Sequence, residues 1–297
     1  EGEGAGVLRA APRPVGEGVL REVGRGVDEA AVVPDAHDDV GERDLLDVAL
    51  LLVHDDDGAP IEAGFNWGQC YRALDCTNPE ALEWIHAQVA RAVSWGFGYL
   101  KLDFLNAAAV VGRRHGSAAR EEAYRAGLLT VRRAAPAAYL MASGGIPASS
   151  LGVVDGIRVG PDTAPYWDNT ERHRDPSGCG ARNALRNSIA RVWMRTLVDC
   201  DPDVVYARTR GSLLSPEANA VTQDLARVTG VLGCSDPASW LTEEEASAMA
   251  ALCAEFNGGR PDVEQLGRYV FRVNGRRVDF EPWINPHGRV SDRLLAK

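Results

Sequence analysis

Five short apolar runs constrain the folding of this chain more than any other feature: 98–105, 138–142, 156–159, 203–207 and 230–234. Each has the length and residue types of a buried strand, and each is followed by a helical pattern or a long loop. Strand and helix in alternation predict a parallel sheet with right-handed crossovers. The helical stretches carry apolar stripes at helical spacing. Leu82, Ile85, Val89 and Val93 mark a helix that starts at Asn78-Pro79 and stops at Gly96 and Gly98. Tyr124, Leu128 and Val131 mark 117–134, with Pro136 beyond its end. Leu185, Ile189 and Val192 mark 180–197, and Val221, Leu225 and Val228 mark a helix capped by Ser215-Pro216. Thr242-x-x-Glu245 is a capping box that opens 242–256, and Gly258-Gly259 ends it. If 230–234 is the last strand of an eight-stranded barrel, 98–105 is the fourth and 156–159 the sixth.

Upstream the text is different. Residues 1–44 are rich in Gly, Ala, Val, Glu, Asp and Arg, and no aromatic appears before Phe65. Such a segment cannot bury enough apolar surface to offset the entropy of ordering it, so an irregular arm is expected there. Leu45–Val53 is the first credible apolar run, and Asp55-Asp56-Asp57-Gly58 reads as a turn. Residues 268–290 read as a few β-strands. The expected fold is therefore α/β, a (β/α)8 TIM-type barrel incomplete at its first strands with a short C-terminal β segment. Its parts are an atypical arm over 1–44, a partial barrel over 45–260 and a β-rich tail over 261–297.

Chemistry concentrates at two strand ends. In Gly98–Leu105, Lys101 and Asp103 interrupt an apolar run; in 156–159 the strand ends in Arg158, and Asp162 follows on a loop stiffened by Gly160 and Pro161. Burying a carboxylate and a cation at a strand end costs free energy unless they are paired or put to use. One reading is a pair of structural ion pairs. The other is two catalytic carboxylates at the C-terminal rim of a barrel, where active sites of that fold lie. Two carboxyls with cationic neighbours and nearby aromatics suit glycoside hydrolysis, one as nucleophile and one as acid and then base.

Lys101-x-Asp103-Phe104, followed by Arg158-x-Gly160-Pro161-Asp162-Thr163-Ala164-Pro165-Tyr166-Trp167, resembles the bacterial α-galactosidases of glycoside hydrolase family 36. Asn66-Trp67, Ala73-Leu74-Asp75, the Ala-Leu-Arg-Asn run 184–187 and Asp201-Pro202-Asp203 fit the same pattern, so the resemblance spans about 50–260. It implies that Asp103 is the nucleophile, Asp162 the acid/base, and Lys101 and Arg158 ligands of the galactose hydroxyls. Ser143 falls where relatives often carry cysteine and is a candidate substrate contact. Trp167 is a candidate platform for a sugar face, with loop packing as the alternative. Asp201 and Asp203 are left between a site role and a structural one, because a strand starting at 203 puts them at the barrel's other end. The family's N-terminal β-domain and its galactose-gripping aspartate pair are not recognisable here. The resemblance therefore carries the expectation of a truncated or aberrant N-terminus.

Composition removes other classes. The 297 residues carry a formal net charge of −10 and no basic run, a poor match to nucleic acid or an anionic membrane surface. No apolar run approaches the ~20 residues of a membrane span, and no basic flank with an apolar core marks a signal peptide. Cys70, Cys76, Cys179, Cys200, Cys234 and Cys253 form no CxxC and no zinc spacing with histidine, so they read as reduced thiols of a cytoplasmic protein. No metal or cofactor is called for. There is no HExxH, GxSxG, P-loop or GxGxxG after a strand.

Two classes of function follow. One is a retaining α-galactosidase acting on α-galactoside oligosaccharides through a covalent galactosyl-aspartate, with self-association left open. The other is a barrel fragment that keeps the catalytic pair but lacks activity. A transglycosylating or neighbouring α-glycosidase is a variant of the first.

Overall fold

The computed structural model describes residues 49–66, 68–169 and 178–284. The expected irregular arm over 1–44 lies outside the described residues, as do Trp67 and the middle of the loop after Trp167.

The first strands of the described residues form a hairpin that the strand pattern above does not anticipate. β1 (Glu62–Asn66) pairs antiparallel with β2 (Gln69–Arg72). The turn before it is as expected: Asp55 Oδ1 accepts the N–H groups of Asp57 and Ala59, and Gly58 supplies a φ of 85°. Helix α1 (Pro79–Ser94) follows, with the Asn78 side chain accepting from the Glu80 N–H and proline in the first turn. Its Ile85, Val89 and Val93 pack on the sheet.

Next come β3 (Tyr99–Leu102), α2 (Arg120–Ala134), β4 (Tyr139–Ala142), the short α3 (Pro147–Ser150), β5 (Gly156–Arg158), α4 (Ala181–Arg191) and β6 (Asp199–Asp201). β3, β4, β5 and β6 form one sheet in that order, and every pairing is parallel. Tyr124, Leu128 and Val131 of α2 meet Leu140, Ala142 and Ile157 in a buried cluster. This is the expected α/β arrangement, each strand neighbouring the next in sequence.

One boundary needs correction. The strand expected at 203–207 begins at Asp199 and is broken. Pro202 has no N–H to give a ladder, and Asp203 turns the backbone to a φ of 81°. The chain resumes as β7 (Val204–Val205), continues into α5 (Pro216–Thr229) and pairs in parallel with β8 (Gly233–Cys234). A parallel bridge between Cys200 and Gly230 joins the two segments of ladder. Likewise the helix expected over 180–197 is α-helical to Arg191 and tightens to a 3-10 turn over Val192–Thr196.

After α6 (Glu243–Asn257), three strands form an antiparallel sheet: β9 (Val263–Gln265), β10 (Val270–Val273) and β11 (Arg276–Asp279). Asn274-Gly275, both at positive φ, make the tight hairpin between β10 and β11. A last turn of helix, α7, covers Glu281–Ile284. Phe271, Val273, Val278 and Phe280 pack with Leu185 and Ile189 of α4 and with Val221, Leu225 and Val228 of α5. The C-terminal strands therefore share a core with the helices of the larger sheet.

Among the described residues the strands do not close into a barrel. β3 has a strand partner on its β4 side, and near its start Trp95, Phe97 and Tyr99 are exposed. No helix of the described residues is long and apolar enough to cross a membrane.

Helix α5 gives a direct test of a cap. The Ser215 hydroxyl accepts the Ala218 N–H at 3.2 Å. Ser215→Ala should cost about 1 kcal/mol, measured as a lower urea midpoint with an unchanged slope.

Candidate active site

The C-terminal ends of four adjacent parallel strands bring the candidate residues together. Lys101 lies on β3 and Asp103 just past its end; Ser143 follows β4; Arg158 ends β5; Asp201 ends β6, paired in register with Arg158.

Asp103 is held by a local turn. Phe104 adopts a φ of 52°, a costly conformation for a bulky residue, and its N–H donates to Asp103 Oδ1 at 2.9 Å. Lys101 Nζ stands 3.6 Å from Asp103 Oδ2, and the Ser143 hydroxyl donates to the same carboxyl. Partial burial pushes the Asp103 carboxyl up. The Phe104 N–H, Ser143, Lys101 and Arg158 together outweigh that burial and hold it below the usual carboxylate range. Asp103 is therefore ionised at neutral pH.

Asp162 sits on the loop after β5, with its side chain largely exposed and Oδ1 at 3.2 Å from Arg158 Nη1. The loop passes close to α4 at Gly160. A Cβ there would stand 3.0 Å from Ser188 Oγ and 3.2 Å from the Ala184 carbonyl oxygen.

Arg158 is the hub. Its side chain is 8% exposed, and three carboxylates surround it: Asp162, Asp201 at 2.8 Å from Nε, and Asp203 at 2.6 Å from Nη2. Burial pulls the guanidinium down, and Asp201 and Asp203 more than compensate, so it is held charged. Burial pushes the Asp203 carboxyl above its ordinary value despite Arg158 beside it. The three pairings use one proton of each guanidinium nitrogen, leaving a second on Nη1 and Nη2 for another acceptor.

Asp201 and Asp203 are the residues that sequence reasoning left undecided between the site and the opposite end of the strand. With the strand starting at Asp199 they lie at its C-terminal end, beside Arg158, and not at the opposite end. Trp167 is placed differently from the others. Its ring meets Trp283 edge-on at 5.0 Å, and it packs against buried residues of α4 and of the C-terminal strands. A separate hollow of about 370 Å³, lined by His54, Asp75, Arg114 and His115 among others, includes none of these residues. Among the described residues no group of three or more His, Cys, Asp or Glu side chains is arranged to hold a metal ion.

Chemically, the cluster offers an ionised carboxylate beside a lysine and a second, open carboxylate on a loop, with one arginine paired to the second and its charge acting on the first. That set can supply a nucleophile and a proton donor to a bond placed between them.

No model of a known protein family matches the chain. Solved structures do. The α-galactosidase of Thermus thermophilus in complex with p-nitrophenyl α-D-galactopyranoside matches at 43% identity with a TM-score of 0.72, over 84% of this chain and 50% of that one. The same enzyme in complex with stachyose matches at 47% identity with a TM-score of 0.63, over 68% of this chain and 44% of that one. The chain thus spans about half the length of the proteins it matches.

Proposed function

We propose, from the premise that this chain belongs to the α-galactosidases of glycoside hydrolase family 36, that its strand-end carboxylates hydrolyse terminal α-galactosyl units with retention. The observation that carries the reading is that Asp103 and Asp162 follow the C-terminal ends of β3 and β5 in one parallel sheet, with Arg158 paired to Asp162 and its charge acting on Asp103. The sequential parallel order of β3 to β8 with helices packed on it supports a (β/α)8 architecture as the scaffold.

In the first step a carboxylate oxygen of Asp103 attacks the anomeric carbon while Asp162 donates its proton to the departing glycosidic oxygen. The product is a galactosyl ester on Asp103. In the second step Asp162 takes a proton from water, which displaces Asp103 and releases galactose. Lys101 is placed to keep Asp103 ionised and to donate to a sugar hydroxyl; Arg158 has its two remaining protons for the same purpose. Ser143, already donating to Asp103, orients it and lines the same strand ends. Trp167, packed on Trp283, serves as an aromatic wall next to the loop, not as an open stacking face. Both steps use these side chains and water. The substrate class is an α-galactoside oligosaccharide, by analogy with the ligands of the Thermus enzyme.

The test is release of nitrophenol from p-nitrophenyl α-galactoside, with Asp162→Ala compared on good and poor leaving groups. Nitrophenolate needs no proton to depart, so the first step should survive on it. On an oligosaccharide, turnover should drop by about 10²–10⁴-fold, the usual worth of a general acid. Equal losses on both would reassign Asp162 to a structural role. A catalytically impaired fragment is favoured by one observation, the unpaired outer edge of β3 among the described residues. Complete absence of nitrophenol release by the intact chain would select it.

A further inference from the structure

We propose that Asp203 is a positioning residue that clamps the loop bearing Asp162 onto the end of the neighbouring strand, fixing the proton donor and Arg158 together. The proposal rests on the galactosidase reading above for what the clamp serves.

The loop and the break in the strand are stitched at several points. The Thr163 N–H, next to Asp162, donates to Asp203 Oδ2 at 2.6 Å. Asp203 Oδ1 takes Arg158 Nη2 at 2.6 Å, so one carboxylate holds both the loop backbone and the guanidinium that contacts Asp162. The Tyr206 hydroxyl donates to the Thr163 carbonyl at 3.3 Å, and the Thr163 hydroxyl reaches the Pro202 carbonyl at 3.4 Å. The Asp203 N–H in turn donates to Asp201 Oδ1 at 2.8 Å.

Asp203 holds this position at a cost. It is buried, it stands in the left-handed region, and it faces a like charge in Asp201. Costs of this kind persist where the surroundings over-determine them, and they cluster at functional sites. Pro202 and Asp203 together break the ladder, and that break aims the carboxylate sideways at the loop. In a straight strand it would share a face with Asp201, two residues earlier.

Arg158, from β5, is the charged group paired with the donor, and Asp203 acts on it from the broken strand. Asp203 and Asp162 repel each other.

Asp203→Asn keeps the shape and suits the same backbone region, where Asn and Asp are enriched. With an oligosaccharide substrate the variant should lose about 10²-fold in kcat, as for a displaced catalytic group, with KM unchanged and with little loss in the first step on p-nitrophenyl α-galactoside, whose leaving group needs no proton. Asp203→Glu, which restores the carboxylate, should recover part of the kcat lost on the oligosaccharide. An equal first-step loss on both substrates, with no recovery in Asp203→Glu, overturns the positioning role. Amide exchange decides the clamp apart from activity. The Thr163 amide should be protected in the unaltered protein and exchange about tenfold faster in Asp203→Ala, which removes the acceptor, the worth of one hydrogen bond. Equal rates in the two overturn the clamp. If the variant does not fold, exchange of Thr163 in the unaltered protein decides: free-loop rates overturn the clamp. If the unaltered protein releases no galactose, the galactosidase reading fails, while the exchange result still tests the clamp.

Discussion

Asp103→Ala is expected to remove turnover of p-nitrophenyl α-galactoside by about 10⁴-fold or more, the scale seen when a covalent nucleophile is deleted. The leaving group in this substrate needs no proton, so the loss isolates the attacking carboxylate. Without it no galactosyl ester forms, and neither Asp162 nor bound water replaces an oxygen fixed by the Phe104 N–H, Ser143 and Lys101. Azide added to Asp103→Gly should enter the vacated face and give the β-galactosyl azide, the stereochemical mark of a lost nucleophile. A variant that keeps most of its activity would make Asp103 a structural partner of Lys101. The same carboxyl sets an acid limb. Activity requires its ionised form, and its surroundings hold it below the ordinary carboxylate range against the pull of burial. Activity is therefore retained above that lowered value and lost as pH falls through it, so the acid limb of kcat/KM should lie lower than a free aspartate would give.

The helices were legible because their signals are local. Asn78-Pro79, Ser215-Pro216 and Thr242-x-x-Glu245 each cap a helix at the position their chemistry predicts, and the stripes on α1, α2 and α5 face the cores they border. The parallel order of the strands was legible for the same reason, since alternation of strand and helix leaves few topologies. What was not legible depended on non-local partners. The apolar residues Val204 and Val205 are the visible part of a strand whose first half, Asp199–Asp201, reads as polar; its burial comes from β5 alongside. Placing the strand start at 203 moved Asp201 and Asp203 to the wrong end of the sheet and separated them from Arg158. The Asp-Pro-Asp spelling held the clue: proline cannot continue a ladder, so two carboxylates flanking it belong to a strand's end. The β1–β2 hairpin was hidden because its strands are half-exposed and lack clean alternation. For Trp167 the sequence leaves a sugar platform and loop packing open, because its packing partner, Trp283, lies far along the chain.

Arg158→Met should destabilise the fold by about 3–5 kcal/mol at neutral pH, the cost of leaving buried charges unpaired. Arg158, Asp201 and Asp203 are each about nine-tenths buried at their side chains, so water does not substitute for the missing guanidinium. Methionine fills much of the volume and keeps the loss electrostatic rather than a matter of packing. The pH dependence separates this cause from a cavity. Asp203 is already raised by burial with Arg158 pulling against it, and removal of Arg158 raises it further. A carboxyl whose folded value lies above its unfolded one binds more protons in the folded state across the window between them. Its favourable contribution is complete below the unfolded value and is lost as pH rises through the folded one. The gap between Arg158→Met and the unaltered protein should thus be widest near neutrality and narrow as pH falls into the window where Asp203 protonates, read as urea midpoints at several pH values. A gap that stays constant with pH would assign the loss to packing. Arg158→Lys should recover part of the stability, since it restores the charge, but not the simultaneous contacts to Asp162, Asp201 and Asp203 that a planar fork allows.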